Sequence, residues 1–403
     1  MLTKTMMRGQ IIIAGAGPVG TFVAFCLAEQ GIDVLVLESA EHCETDMRAS
    51  TFHPPTLSYL EQLGLAKPLI NQGLKAPVFQ YRIRSSKEVL DFNLGELKDT
   101  LEFPFRLQCE QYKFARMLAE KLEEHPHAEI LFNHEVLTVS QDDAGASVEV
   151  NTPDGTRTYK GMYLIGADGA NSIVRRQLGI DFSGFTYKEK FLTLSTEEKI
   201  ENYFNDLSYV NYVSDPKDWF VLLKAPSAWR ILVPIENDIK DSDIVSDKNI
   251  NKVFQRVLGE SKKVETIHRT IYRVHQRVVD KMMHQRILLI GDAAHLNNPL
   301  GGLGMNSGLH DAWNLSQKLG LIINHGHNKG LLGQFDRQRR AVMNDFIQRQ
   351  TIRNKKMIEE SGETSFESQW DEMRVIHANK AKRRAYMLEQ SMTSSIERER
   401  DIV

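Results

Sequence analysis

Short apolar runs alternate with helix-period stretches through the first third of the chain. Ile11–Ala14 is continuously apolar and reads as a buried strand, Pro18–Gln30 as a helix, and Asp33–Glu38 (Asp-Val-Leu-Val-Leu-Glu) as a second buried strand. Gly31 suits the left-handed residue that ends a helix, so residues 11–38 are expected to form a β-α-β unit. A helix is predicted from Pro54 to Leu63, ending at Gly64, and another over Gln111–Glu124, where Phe114, Leu118 and Leu122 share one stripe. Short strands are expected near Ile130–Phe132, Val136–Val139 and Ser147–Val150, with a turn at Pro153-Asp154-Gly155. Tyr163–Ala167 and Arg286–Ile290 return to the buried-strand pattern, and Leu309–Ile323 is a largely apolar helix.

A period of two marks other segments. It appears in residues 78–94 and again in 187–235, most clearly at Tyr209–Val213, Trp219–Leu223 and Arg230–Pro234, and predicts an antiparallel sheet. The segment 236–270 is polar and helix-prone. The two patterns interleave. The expected fold is α/β: a Rossmann-like nucleotide domain (1–75, 105–180 and 270–345) interleaved with a smaller substrate domain on a mainly antiparallel sheet (76–104 and 181–269). Residues 346–403 alternate both charge signs and read as a C-terminal segment of surface helices.

Composition narrows the class. At 403 residues, 41% hydrophobic and 26% charged, the chain is ordinary for a globular protein, and a net charge of −3 gives no reason to expect nucleic acid. Three cysteines (Cys26, Cys43, Cys109) with no CxxC and no histidine cluster argue against a disulfide framework or a metal site, and a reducing, cytoplasmic setting is expected. Lys4 and Arg8 before the apolar stretch Ile11–Ala28 imitate a signal peptide, but Gly15, Gly17, Pro18 and Gly20 interrupt it, and no membrane anchor is expected.

The candidate chemistry lies at three turns. In Gly15-Ala16-Gly17-Pro18-Val19-Gly20, Gly15 permits the tight turn, Gly17 the approach of a pyrophosphate, and Gly20 the packing of helix on strand. Glu38 ends the second strand, where a carboxylate accepts from an adenosine ribose. This unit does not distinguish NAD from FAD. Asp168-Gly169 follows an apolar strand and by itself reads as a β-turn with a helix cap. Gly291-Asp292 follows a third apolar strand, and a loop containing Gly301, Gly302 and Gly304 opens onto a helix at Met305-Asn306. There Asp292 is placed to accept from a ribityl hydroxyl, and a helix start offers N–H groups and partial positive charge to an anionic ring.

These three fingerprints, in this order, resemble the single-component FAD-dependent aromatic hydroxylases, the group typified by 4-hydroxybenzoate hydroxylase. The resemblance covers about the first 345 residues. Arg48-Ala49-Ser50-Thr51 matches the stretch whose arginine contacts FAD, and Gln111 aligns with a glutamine that touches the ribityl chain. The resemblance implies that NADPH or NADH reduces the flavin, O₂ adds at its C4a carbon, and the hydroperoxide delivers hydroxyl to an electron-rich ring. It places Asp168 near the pyrophosphate, Met305 and Asn306 beneath the isoalloxazine, and Pro299 beside the ring, with its carbonyl toward the substrate. It also admits a homodimer. The family often has two prolines after the histidine; here Asn298 precedes Pro299.

His295 is a candidate proton-transfer group, against the blander reading of a histidine packed behind the loop. For the substrate the candidates are Tyr209 and Asn211 on one strand face, Tyr212 on the other, and Arg230 as a bidentate partner for a carboxylate, against an exposed strand arginine. Trp219, Phe220 and Trp229 read as core. Competing functions are a halogenase, an epoxidase or a double-bond reductase on the same fold, or a non-catalytic FAD-binding regulator. The chain lacks the Trp-x-Trp-x-x-Pro pattern usual in halogenases of this fold.

Overall fold

In a computed structural model of the chain, residues 11–43, 45, 49–215, 218–359 and 363–403 are described. The apolar runs assemble into a six-stranded sheet ordered Met283–His284, Ile287–Leu289, Tyr163–Gly166, Ile11–Ala14, Val34–Leu37 and Ala128–Leu131, parallel except at its first pair. Its central strand, Ile11–Ala14, is buried throughout, which is why it shows no alternation. The helix Pro18–Ala28 covers one face together with Gln111–Glu123 and Leu303–His325. A three-stranded antiparallel sheet (Glu135–Gln141, Ala146–Thr152, Gly155–Gly161) packs near the opposite face. The hairpin turn at Pro153-Asp154-Gly155 thus joins two seven-residue strands, longer than the sequence pattern suggested.

The alternating segments form an eight-stranded sheet: His295–Leu296, His268–Val279, Phe182–Thr196, Trp229–Ile235, Asp218–Lys224, Val210–Asp215, Val78–Ile83 and Val89–Asn93. Only the pair Val210–Asp215 with Val78–Ile83 is parallel. Residues 270–279, expected with the nucleotide fold, belong by pairing to this sheet, because His268–Val279 runs antiparallel along Phe182–Thr196. Trp219, Phe220 and Trp229 are core residues, each 4% exposed or less.

The C-terminal helices differ from the surface helices expected. Trp370, Met373, Tyr386 and Met387 are buried in one cluster with Phe79, Tyr81, Phe92 and Tyr212 of the large sheet, and Tyr386 Oη lies 2.8 Å from Tyr81 Oη. Charged residues dominate the composition of 363–403, so the few apolar side chains that seat these helices are not visible as a stripe. Among the described residues, no helix is long and apolar enough to cross a membrane.

Candidate active site

A single cavity of ≈ 730 Å³ runs from the first glycine turn to the face of the large sheet, within the size range of small-molecule sites. At the turn, Gly15 has φ +102°, and a Cβ there would stand 2.6 Å from Ala167 O, so the ends of two parallel strands approach only because it is glycine. Gly17 is the opposite case. It lines the cavity, and a Cβ there would meet nothing within 4 Å. The helix that starts at Pro18 has no side-chain cap, so its positive end is left to the cavity, which Ala16, Pro18 and Val19 also line. Gly20 sits behind, where a Cβ would fall 1.9 Å from Gly15 O.

Three carboxylates border this end. Glu38 accepts from Ala16 N at 2.7 Å through Oε2 and from Ala40 N at 2.9 Å through Oε1, and retains acceptor capacity toward the cavity it lines. Asp168 Oδ2 accepts from Ile173 N and Val174 N at 2.8 and 3.1 Å, the helix cap foreseen for it, while buried Oδ1 has no hydrogen-bond partner among the described residues. Asp168 lines the cavity as well, so cap and site coincide. Asp292 and Pro299 are exposed between buried neighbours and line the cavity. The long helix begins earlier than expected, at Leu303, after Gly302 with φ +71° and without a side-chain cap, and its Gly304 and Met305 line the cavity with Gln111. Two uncapped helix starts, open space at Gly17 and carboxylates spaced along the wall fit an FAD: phosphates at one helix, hydroxyls at the carboxylates, the ring at the other helix. Arg48 lies outside the described residues.

Two expected site residues stand behind the cavity and not in it. The Asn306 side chain is fully buried: Oδ1 accepts from His53 N and Thr56 Oγ1 at 2.9 and 2.7 Å, and Nδ2 donates to Thr51 O and Gly302 O at 2.8 and 2.7 Å. It clamps the glycine loop to the segment 51–56. His295 is 1% exposed, and its Nε2 lies 2.6 Å from Asp311 Oδ2, which also accepts from Gly291 N at 3.0 Å. Asp311 Oδ1 takes Arg339 Nε at 2.6 Å, and Arg339 Nη1 pairs with Glu399. Burial works to raise the Asp311 carboxyl, but the charges of His295 and Arg339 hold it down, to about 2. His295 is therefore part of a buried network that anchors the Gly291 turn, and it does not line the cavity.

Asn298, in place of the family's proline, is also buried. Its backbone N donates to Gln276 Oε1 at 3.0 Å, its Nδ2 to Thr351 O at 2.9 Å, and its Oδ1 accepts from Leu300 N at 3.1 Å. The Pro299 loop is thereby tied to the helix Gln348–Glu359.

The large sheet supplies the far wall through two rows of paired residues two positions apart. One row is Tyr212, Val221, Leu232 and Thr193; the next is Phe79, Val210, Leu223 and Arg230. Of these eight, all but Phe79 line the cavity. Strand alternation turns Tyr209 and Asn211 away from it. Tyr209 is 40% exposed, and Asn211 Nδ2 donates to Ser208 O at 2.7 Å. Arg230 is 4% exposed and donates to Ser50 Oγ at 3.2 Å, so it is not the solvated strand arginine that the pattern alone favoured. Sequence reasoning missed Arg106, Thr193 and Tyr272, which also line the cavity. Arg106 follows Phe103-Pro104-Phe105 and shares the face of Gln108 in a short strand, a period-two signal too brief to stand out.

The fold and cavity define a flavin-type dinucleotide enzyme, and comparison with known proteins makes the assignment definite. Residues 8–350 match the family described as "FAD binding domain". The chain is 31% identical over 341 residues to para-nitrophenol 4-monooxygenase of a Pseudomonas species, covering 83% of this chain and 84% of that protein. It is 32% identical over 346 residues to 6-hydroxy-3-succinoylpyridine 3-monooxygenase of Pseudomonas putida, covering 85% and 86%. The crystal structure of p-nitrophenol 4-monooxygenase from Pseudomonas putida superposes with a TM-score of 0.91 at 27% identity, over 96% of this chain and 98% of that one. The chain belongs to the single-component FAD-dependent aromatic hydroxylases and is a flavoprotein monooxygenase.

Proposed function

We propose that the protein hydroxylates a small phenol-like or heteroaromatic ring, using NADPH or NADH and O₂. One oxygen atom enters the ring; the other leaves as water as the nicotinamide is oxidised. The observation that carries this reading is the continuity of one cavity from the Gly17 turn past Pro299 to the apolar rows of the large sheet. The relatives para-nitrophenol 4-monooxygenase and 6-hydroxy-3-succinoylpyridine 3-monooxygenase are named for substrates of this kind.

A bound FAD would relay the nicotinamide's electrons to O₂ and so supply the activated oxygen. In this reading Gly15–Val19 receive its pyrophosphate, Glu38 its adenosine ribose, and Asp292 and Gln111 its ribityl chain. Asp168 stands near the pyrophosphate. The uncapped start of Leu303–His325, at Gly304 and Met305, opposes negative charge on the ring system with its free N–H groups. Val221, Leu223 and Leu232 exclude water from the reacting edge, and Tyr212 and the Pro299 carbonyl orient the substrate hydroxyl.

The test is a screen of NADPH and NADH oxidation over phenols, aromatic acids and hydroxypyridines. Substrate-stimulated oxidation with a product heavier by one oxygen atom supports the reading. FAD retention with no aromatic that stimulates oxidation contradicts it.

A further inference from the structure

Arg106 is 1% exposed and lines the cavity. Its Nη2 donates to Gln390 O at 3.2 Å, and its guanidinium lies 4.3 Å from the Phe79 ring centroid. Nε and Nη1 are buried and have no hydrogen-bond partner, and no carboxylate pairs with this arginine among the described residues. A buried cation is normally paired and its donors satisfied, because burying it otherwise is among the costliest arrangements in a folded protein. One carbonyl and one aromatic face are a thin environment for a group with five donors.

Its position gives those donors a use. Phe79, on which Arg106 rests, begins the row Phe79–Val210–Leu223–Arg230, whose last three residues line the cavity. Arg106 therefore caps one end of the apolar floor and Arg230 the other. The charge of Arg106 is also felt at His53: burial first, and this guanidinium second, push the imidazole well below its usual range. His53 Nε2 lies 2.9 Å from Gly301 O, and Arg106 lines the same cavity as Pro299 and Gly301. Across the same wall, the buried Thr193 hydroxyl has no partner among the described residues.

We propose that Arg106 is the specificity-determining residue of the substrate chamber, its guanidinium fork receiving two acceptor oxygens of a ring substituent, a carboxylate or a nitro group. The inference rests on the reading of the cavity as an aromatic-substrate chamber. A planar fork matches paired oxygens. A site built around an unmet donor rejects analogues that leave it unmet far more strongly than an apolar pocket rejects a change of size.

The test uses the FAD-loaded enzyme and equilibrium dialysis with 4-hydroxybenzoate, 4-nitrophenol and 4-methylphenol; the first two separate carboxylate from nitro, and the third has neither. The wild type should bind one of the oxygen-bearing probes about 10- to 100-fold more tightly than 4-methylphenol. Arg106→Met should bring that ratio close to one with FAD still bound, and Arg106→Lys, which keeps the charge without the fork, should fall between. Should Arg106→Met not fold, the wild-type ratio and the lysine variant decide. A wild-type ratio near one, or a ratio that survives in Arg106→Met, overturns the proposal and leaves the aromatic reading standing. Binding of none of the three probes overturns the aromatic reading, and the proposal with it.

Discussion

The His295 imidazole lies 2.6 Å from the Asp311 carboxylate, and both are buried. Asp311 also receives Arg339 and the backbone N of Gly291, so one carboxylate fastens the turn bearing Asp292 to two helices. Asp311→Asn removes the carboxylate that His295 and Arg339 share, leaving Arg339 with Glu399 alone, and should cost about 3–5 kcal/mol of stability, read by denaturant unfolding. His295→Gln should lower stability while the pH profile of turnover keeps its shape. A lost ionisation in that profile would return His295 to the chemistry.

Gly17→Val tests the cofactor end. A Cβ at Gly17 meets no protein atom within 4 Å, so the fold should tolerate the side chain. The valine then occupies the space in front of the helix start. The variant should purify folded and colourless, with flavin stoichiometry falling from about one per chain toward none. A normal yellow protein would mean that the pyrophosphate lies elsewhere.

Stability should weaken on acidification in two windows. Burial first, and the Arg339 charge second, lower the His310 pKa from 6.5 to about 3; burial and Arg106 depress His53 in the same direction. Both imidazoles are neutral when folded and take up protons when unfolded. Their contribution is complete above pH 6.5 and is lost below it at about 1.4 kcal/mol per pH unit for each histidine, until the folded group also protonates. Asp311, held down from 3.8 to about 2, adds a loss between those values. His310→Gln should flatten the first window in urea midpoints measured from pH 7 to pH 4; an unchanged slope would contradict the assignment.

Asn298 provides a test of the C-terminal helices. Asn298→Pro installs the family's usual residue but removes the N–H to Gln276 and the side-chain bond to Thr351. It should cost about 1–3 kcal/mol and slow turnover more than it releases FAD. A gain in rate would show that the tie to Gln348–Glu359 restrains the Pro299 loop.

What the sequence disclosed follows from the range of the interactions. The β-α-β unit and the three turns were legible because glycine spacing and continuous apolar runs are local consequences of backbone geometry, as Gly15 and Gly17 illustrate. The strand period separated Tyr212 from Tyr209 and Asn211 but could not say which face met the cavity, a matter of tertiary packing. Arg230 and Arg106 defeated pattern reading for the same reason: a charged residue in a strand is usually solvated, and only the assembled fold turns these two inward, Arg230 from the eight-stranded sheet and Arg106 from a small three-stranded one. The roles of Asn306, His295 and Asn298 depend on partners such as Arg339 and Thr351, far along the chain.

The central claim is that this cavity inserts one atom of dioxygen into an aromatic ring beside a bound flavin. Its most direct test is turnover of the purified FAD-loaded enzyme with NADPH or NADH under ¹⁸O₂, followed by mass spectrometry of the product of a stimulating aromatic. One ¹⁸O atom in the new ring hydroxyl is the predicted result; nicotinamide oxidation that yields only peroxide, or a hydroxyl oxygen drawn from water, would contradict it.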